Sequence, residues 1–306
     1  MMNKLFIYTF YRFINIKNKN KVKKELDTFI GNKLIRGTIL LSDEGINGSI
    51  SASKRDLEYI SKKIKSLLNI KKLNIKINEV KFLPFNKIKV RLKKEIVSFG
   101  VDNIHIKETG KRISPFDWDE FINDKNIVLI DTRNKFEIKI GSFKNSINPQ
   151  TKSFREFPKK FKELKISKSS KIAMFCTGGI RCEKASSYLK NVGYKNVFQL
   201  DGGILNYLNY KKEFKIKNTK WQGDCFVFDN RVTVNKSLKK GKYDQCYGCR
   251  HPITKSDKKL ISYVKGVSCK YCYKKRTKIQ LERSITRQKQ IDLADQRGLI
   301  HGFKRI

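Results

Sequence analysis

The stretch from Lys171 to Gly193 limits the fold of this chain more than any other. Lys171-Ile-Ala-Met-Phe-Cys176 is an apolar run of strand length, Thr177-Gly178-Gly179 interrupts it, and Arg181 to Val192 reads as a helix closed by Gly193. An apolar strand that turns through glycines straight into a helix belongs to a parallel sheet covered on both faces. In such sheets the carboxyl edge of the strands collects reactive groups, and Cys176 stands at that edge. Two glycines let the backbone curl so that several N–H groups face one atom, an arrangement that stabilises an anion. The helix start adds the positive end of its dipole. A thiol in that setting titrates below its ordinary value of about 8.5, so a thiolate is expected at neutral pH. Arg181 supplies a fixed cation or a clamp for an anionic substrate. A buried structural cysteine needs neither the glycines nor the arginine. Cys176 and Arg181 are therefore the candidate catalytic residues.

The remainder divides around this centre into an α+β and α/β multidomain chain. In residues 1–99, strands read over 4–12, 34–42, 49–51, 73–82 and 87–97, with helices over 18–31 and 53–68. The second helix shows its period through Leu57, Ile60, Ile64, Leu67 and Leu68. The order is β-α-β-β-α-β with a trailing strand, a ferredoxin-like split βαβ domain of acylphosphatase-like type. Asp43 to Gly48 reads as a turn, with no role assigned. Residues 100–113 read as a linker. Residues 114–215 form the central domain: Ser114 caps a helix with Pro115 at its first position, strands fall at 126–131, 171–176 and 196–200, and helices at 154–164, 181–192 and after Asp201-Gly-Gly203. Residues 216–306 are a cysteine-rich basic region with weaker periodicity, in which Trp221, Phe226 and Phe228 are read as core rather than as stacking platforms.

Seven cysteines, without a secretory signal, argue against a disulfide framework. Cys246/Cys249 and Cys269/Cys272 are two CxxC pairs, a spacing that fits a four-cysteine structural zinc site. Redox cysteines and an unmetallated remnant are the competing readings. Of His105, His251 and His301, only His251 is close enough in sequence to serve as an alternate ligand. Cys182 is either a resolving thiol for Cys176 or a small packed residue. No flavin, haem or iron motif is apparent, and oxygen chemistry without such a cofactor needs a reactive thiolate or persulfide, or an external reductant.

The net charge of +41 suits a polyanion such as RNA. Yet lysines are scattered everywhere among Asn and Ile, so most of the excess reads as coding bias. Arginines and tyrosines from Tyr271 onward (Tyr273, Arg276, Arg283, Arg287, Arg297, Arg305) are a sharper nucleic-acid signal. No apolar run reaches the roughly 20 residues of a membrane span, and a cytoplasmic location is expected.

Three segments, VLIDTRNKFEIKIGSFKNSINP (128–149), MFCTGGIRCEKAS (174–186) and VFQLDGGILNY (197–207), resemble a rhodanese domain. In that family the loop cysteine, here Cys176, carries a persulfide. Asp131 and Arg133 lie in its Asp-x-Arg motif, and Glu137 and Gly141 match the stretch that follows. The C-x4-R loop is one residue shorter than a phosphatase C-x5-R loop, which argues against a phosphatase. Adding LLSDEGINGSIS (40–51), FREFP (154–158) and WQGDCFVFDNRV (221–232), nearly the whole chain resembles the rhodanese-containing tRNA uridine hydroxylases. That resemblance implies a bacterial enzyme that hydroxylates C5 of the wobble uridine at tRNA position 34. Dioxygen is the implied co-substrate and tRNA the partner, with an electron donor the sequence does not identify. A persulfide-carrying sulfurtransferase and a non-enzymatic RNA-binding adaptor are the rival expectations.

Overall fold

Apolar residues at alternate positions of 5–13 and 36–53 need a sheet to cover them, and the sheet they form organises the first third of the chain. The computed structural model describes residues 4–31, 33–101, 106 and 108–298. The N-terminal elements are β1 (Leu5–Phe13), α1 (Lys19–Ile30), β2 (Arg36–Ser42), β3 (Gly45–Ser53), α2 (Lys54–Leu67), β4 (Asn74–Val80) and β5 (Ile88–Leu92). Strand order is β4-β1-β3-β2-β5. β1 runs antiparallel to β3 and β4, β2 antiparallel to β3, and β5 parallel to β2. The first four strands have the ferredoxin-like arrangement, with β5 as the trailing edge. Asn18 and Ser53 cap the two helices by accepting from Lys21 and Asp56 N–H groups. Val22, Leu26 and Ile30 of α1 and Leu57, Ile60 and Ile64 of α2 bury one helical face each against Ile39, Leu41, Ile46 and Ile50.

The turn expected over Asp43–Gly48 is shorter than its sequence suggests. Only Asp43 and Glu44 turn; Gly45 to Gly48 already pair as β3 with β1 and β2. Gly45 has φ +145°, and a Cβ there would lie 2.1 Å from the Arg12 carbonyl oxygen. Glycine thus permits the close hairpin that the polar residues disguise.

The central unit contains β6 (Lys111–Ile113), α3 (Trp118–Phe121), β7 (Ile127–Asp131), α4 (Lys135–Ile138), β8 (Gly141–Phe143), α5 (Phe157–Glu163), β9 (Lys171–Phe175), α6 (Ile180–Asn191), β10 (Val197–Leu200) and α7 (Gly203–Glu213). Its sheet, ordered β6-β10-β9-β7, is parallel throughout. Successive β9 residues point to opposite faces: Ala173 and Phe175 join a core with Trp118 and Phe143, while Ile172, Met174 and Cys176 join one with Phe157 and Leu189. Two readings need correction. Lys111–Ile113, assigned to the linker 100–113, is an edge strand parallel to β10. Ser114 accepts from the Asp117 N–H at 3.2 Å, but this closes a turn, and the helix beyond is only Trp118–Phe121.

The last third has β11 (Trp221–Gly223), β12 (Cys225–Phe226), β13 (Thr233–Val234), β14 (Asp244–Gln245), β15 (Pro252–Ile253) and α8 (Lys278–Gln296). β11 pairs with β8. Trp221, Cys225, Val227, Val234 and Leu238 pack into the same core as Trp118 and Phe175, so that core extends well past residue 215. No described helix is long and apolar enough to cross a membrane.

Candidate active site

Cys176 follows β9 directly and lies buried at the floor of the loop. The Gly179 N–H donates to its sulfur at 3.0 Å, and the N–H groups of Arg181 and Cys182 also bond it. Gly179, at φ +96°, is the residue that turns the chain into α6. Burial alone would raise the Cys176 thiol. The hydrogen bond with Cys182, the Arg181 guanidinium and the backbone N–H groups outweigh it and hold the thiol well below its ordinary range. Cys182 moves the other way: burial, the hydrogen bond with Cys176 and that residue's negative charge all push it up. Cys182 therefore keeps its proton and donates to the Cys176 sulfur. It is fully buried, with Thr132 Oγ1 at 3.7 Å.

Arg181 is less available than a substrate clamp would be. Its two terminal nitrogens bond both Glu137 oxygens at 2.7 and 2.8 Å, and one also reaches Thr177 Oγ1 at 3.3 Å. Burial opposes the Glu137 charge, but Arg181 overrides it and holds the carboxyl below its usual range. Arg181 thus acts on Cys176 through its field and braces the loop through Thr177. Asp131 and Arg133 form a second buried bidentate pair, at 2.9 and 2.6 Å. Arg133 also bonds the Gly141 carbonyl and lies over the Trp221 ring. This pair joins β7 to β8 and does not line the cleft described below.

Support for the loop comes from residues whose roles are invisible in the linear motif. The Asp201-Gly-Gly203 turn lies behind it: Ile204 and Leu205 N–H groups donate to the Cys176 and Thr177 carbonyls at 2.9 and 3.0 Å. A Cβ on Gly203, at φ +68°, would lie 2.4 Å from the Cys176 carbonyl oxygen. From β4, Lys76 donates to the Gly178 carbonyl at 2.5 Å and to the Gly202 carbonyl. Burial lowers the Lys76 ammonium to about 8 despite the anions nearby, with Cys176 the largest of those opposing it. Lys184 of α6 is buried between Glu44 and Glu95, at 2.8 and 2.6 Å. That gives the Asp43–Gly48 segment a structural task, since Glu44 ties the N-terminal sheet to α6, the helix that follows the Cys176 loop.

Above the loop lies a cleft of about 650 Å³ to which all three parts of the chain contribute. Asn47 and Phe85 come from the N-terminal unit, Arg155 and Thr177 from the centre, and Phe228 and Arg231 from the last third. Trp221 and Phe226 are buried as expected, but Phe228 is 68% exposed and stands in the cleft wall. Asp229 holds Arg231 in a bidentate pair at 2.9 and 2.6 Å. This repeats the Asp-x-Arg spacing and geometry of Asp131/Arg133, a signal the sequence contained twice.

The sulfurs of Cys246, Cys249, Cys269 and Cys272 all lie within 4.8 Å of one another. Pairs across the two CxxC turns are 3.9 and 3.7 Å apart. A tetrahedron with Zn–S bonds near 2.3 Å has edges of about 3.8 Å, so the four residues fit such an ion. His251 is not in the set; its ring stacks on Tyr271 at 4.8 Å and packs against Phe136. The arginines beyond are partly committed to this knuckle. Arg276 donates to the Val267 and Gln280 carbonyls, and Arg287 to those of Gly266 and Tyr247. His105, His301 and Arg305 lie outside the described residues.

Parallel sheet, glycine loop and bidentate arginine define the central unit as a rhodanese-type domain, joined to a ferredoxin-like domain and a cysteine knuckle. Family models agree: residues 5–96 match the UPF0176 acylphosphatase-like domain and residues 115–210 the rhodanese-like domain. Among solved structures, a rhodanese-related protein from Thermoplasma volcanium is 30% identical with TM-score 0.28, covering 33% of this chain and 92% of its own. A single-domain sulfurtransferase from Saccharomyces cerevisiae is 19% identical with TM-score 0.29, covering 34% of this chain and 93% of its own. A curated relative spans nearly the whole chain: the tRNA uridine(34) hydroxylase of Pelagibacter ubique is 46% identical over 300 residues, 98% of each chain. The chain belongs to the tRNA uridine(34) hydroxylase family.

Proposed function

We propose that this chain hydroxylates C5 of uridine 34 in tRNA, with dioxygen as oxidant and Cys176 as nucleophile. One observation carries the reading beyond family membership: the Cys176 loop is the floor of a cleft whose walls come from all three parts of the chain. A minimal sulfurtransferase has no need of the flanking walls. Cleft, exposed aromatic and nearby cations suit a base turned out of a single strand.

In this reading the Cys176 thiolate adds to C6 of the uracil and leaves an enolate at C5. The enolate takes dioxygen to give a C5 hydroperoxide. A two-electron external donor reduces the O–O bond, leaving the C5 alcohol and releasing water. Loss of the C5 proton and expulsion of the thiolate restore the C5–C6 double bond. One oxygen atom enters the base and the other leaves as water, with two electrons and two protons consumed. Arg181 is a positioning residue whose cation keeps Cys176 ionised. Cys246, Cys249, Cys269 and Cys272 would hold a zinc ion as a structural staple. A tRNA substrate implies a cytoplasmic site of action.

The test is nucleoside mass spectrometry of tRNA from cells with and without the gene, and with Cys176→Ala. We expect 5-hydroxyuridine derivatives to vanish in the deletion and in the variant. Full hydroxylation by Cys176→Ala removes the nucleophile. Loss of a thiolated nucleoside instead makes the chain a sulfurtransferase, and tRNA binding with unchanged nucleosides makes it an adaptor.

A further inference from the structure

The cleft does not end at Phe228. A second groove of about 390 Å³ continues from it, sharing Thr38, Phe85, Phe228 and Asp229 with the cleft over Cys176. Its far lining carries Lys87, Lys89 and Arg250. Lys87 and Lys89 are alternate residues around the edge strand β5, both exposed, and Arg91 continues the row. The knuckle contributes Arg250 from the opposite side. Slight burial and then the charges of Arg91, Lys87 and Arg250 lower the Lys89 ammonium, which places these cations within one another's field. No salt bridge among the described residues joins Lys87, Lys89, Arg91 or Arg250 to a carboxylate. The one acid in the lining, Asp229, is committed to Arg231.

Four cations gathered without a neutralising acid repel one another, and an anion that bridges them relieves the repulsion. Lys87 and Lys89 of the N-terminal unit and Arg250 of the knuckle, far apart in sequence, line one groove together. Beside it stand Phe85 and the 68% exposed Phe228. A row of cations next to aromatic faces, leading into a cleft floored by a reactive thiol, has the chemistry of a single-stranded nucleic acid: phosphates along the row, one base on the ring, the next turned into the cleft.

We propose that the groove formed by Lys87, Lys89 and Arg250 binds the sugar-phosphate backbone of an unpaired RNA strand, with Phe228 as the stacking platform that turns the target base toward Cys176. The assignment deepens the hydroxylase reading and rests on it. It also relocates the expected RNA contact, because Arg276 and Arg287 of the C-terminal tail are engaged with backbone carbonyls of the knuckle.

The test uses the full chain and two RNA probes, an anticodon stem-loop and a blunt duplex of equal length. The triple variant Lys87→Gln, Lys89→Gln, Arg250→Gln is compared with a charge-matched control at exposed positions of the central unit, Lys159→Gln, Lys162→Gln, Lys195→Gln. Binding is followed against salt. Losing three phosphate contacts on a single strand lowers the log–log salt slope by about 2. We expect the groove variant to show that fall and at least a tenfold weaker stem-loop affinity, and the control to match the unmodified chain. Phe228→Ala should weaken stem-loop binding roughly tenfold while leaving the salt slope unchanged, and Phe228→Trp should restore it. Equal losses in groove variant and control, or equal affinity for stem-loop and duplex, overturn the assignment. 5-Hydroxyuridine formation is measured in the same preparations. An unmodified chain that binds through the groove but does not hydroxylate sinks the activity alone; a groove variant that hydroxylates with unchanged KM sinks the groove alone.

Discussion

Removing Arg181 tests the central electrostatic claim about the loop. Arg181 is 7% exposed, and both Glu137 oxygens depend on it. Arg181→Met therefore leaves a buried carboxylate without its cation, a change that costs about 3–5 kcal/mol. That is a large share of the roughly 5–15 kcal/mol that holds a typical domain together. Adding Glu137→Gln removes the stranded charge while keeping an oxygen for the Asn134 N–H, which Glu137 now accepts at 3.1 Å. The double variant should recover most of the loss. The thiol responds differently. Both variants lack the cation that favours the thiolate, so Cys176 should titrate higher in both, and highest in the single one. Trp118 and Trp221 are the chain's two tryptophans and both lie in the central core, so their fluorescence in urea reports this unit's stability. Thiolate ultraviolet absorbance, taken as a difference from Cys176→Ser, reports the ionisation. A loss under about 1 kcal/mol for Arg181→Met contradicts the buried-pair argument. A double variant whose Cys176 ionises as in the unmodified chain contradicts the role of the Arg181 field.

Other expectations follow from the same geometry. Because the folded Cys176 thiol lies below the unfolded value of about 8.5, its contribution to stability is fully present above that pH and is lost as pH falls through the folded value. The stability difference between the unmodified chain and Cys176→Ser should therefore shrink on acidification, and a difference that grows would reverse the sign of the shift. Purified protein should contain one zinc per chain by elemental analysis. Cys269→Ser should lose it and expose residues 244–296 to protease while the tryptophan signal of the central core survives; metal-free, protease-resistant protein would refute the knuckle. Gly203→Ala should displace the Cys176 loop by forcing a methyl against the Cys176 carbonyl, read as reduced thiolate absorbance, whereas Gly178→Ala should be milder because a Cβ there meets nothing within 4 Å. Equal effects at the two glycines would refute the steric argument, since Gly203 alone of the two has both the positive φ and the close contact.

Much of this protein is legible in its sequence because the controlling interactions are local. The apolar run into Cys176, the glycines after it and the helix beyond specify a strand–nest–helix unit from contiguous residues, whose backbone dihedrals and N–H directions need no distant partner. The same holds for the ferredoxin-like order of 1–99 and for the CxxC pairs, each a tight turn that aims two sulfurs at one point. Gly45 marks where local reading falls short, since the close approach of β1, rather than the polar residues around it, sets the length of its turn. Partnerships across the chain were beyond local reading. Arg181 reads as a cation for a substrate, yet it is bound to Glu137, 44 residues earlier. Phe228 resembles its buried neighbours Trp221 and Phe226 in chemistry and spacing, and only the packing of three units decided that it faces a cleft. Lys184 and Lys76 look like two more lysines in a lysine-rich chain until Glu44, Glu95 and the Gly178 carbonyl are placed beside them. A side chain's identity is encoded where it stands, but its charge state, exposure and partner depend on what the fold brings against it.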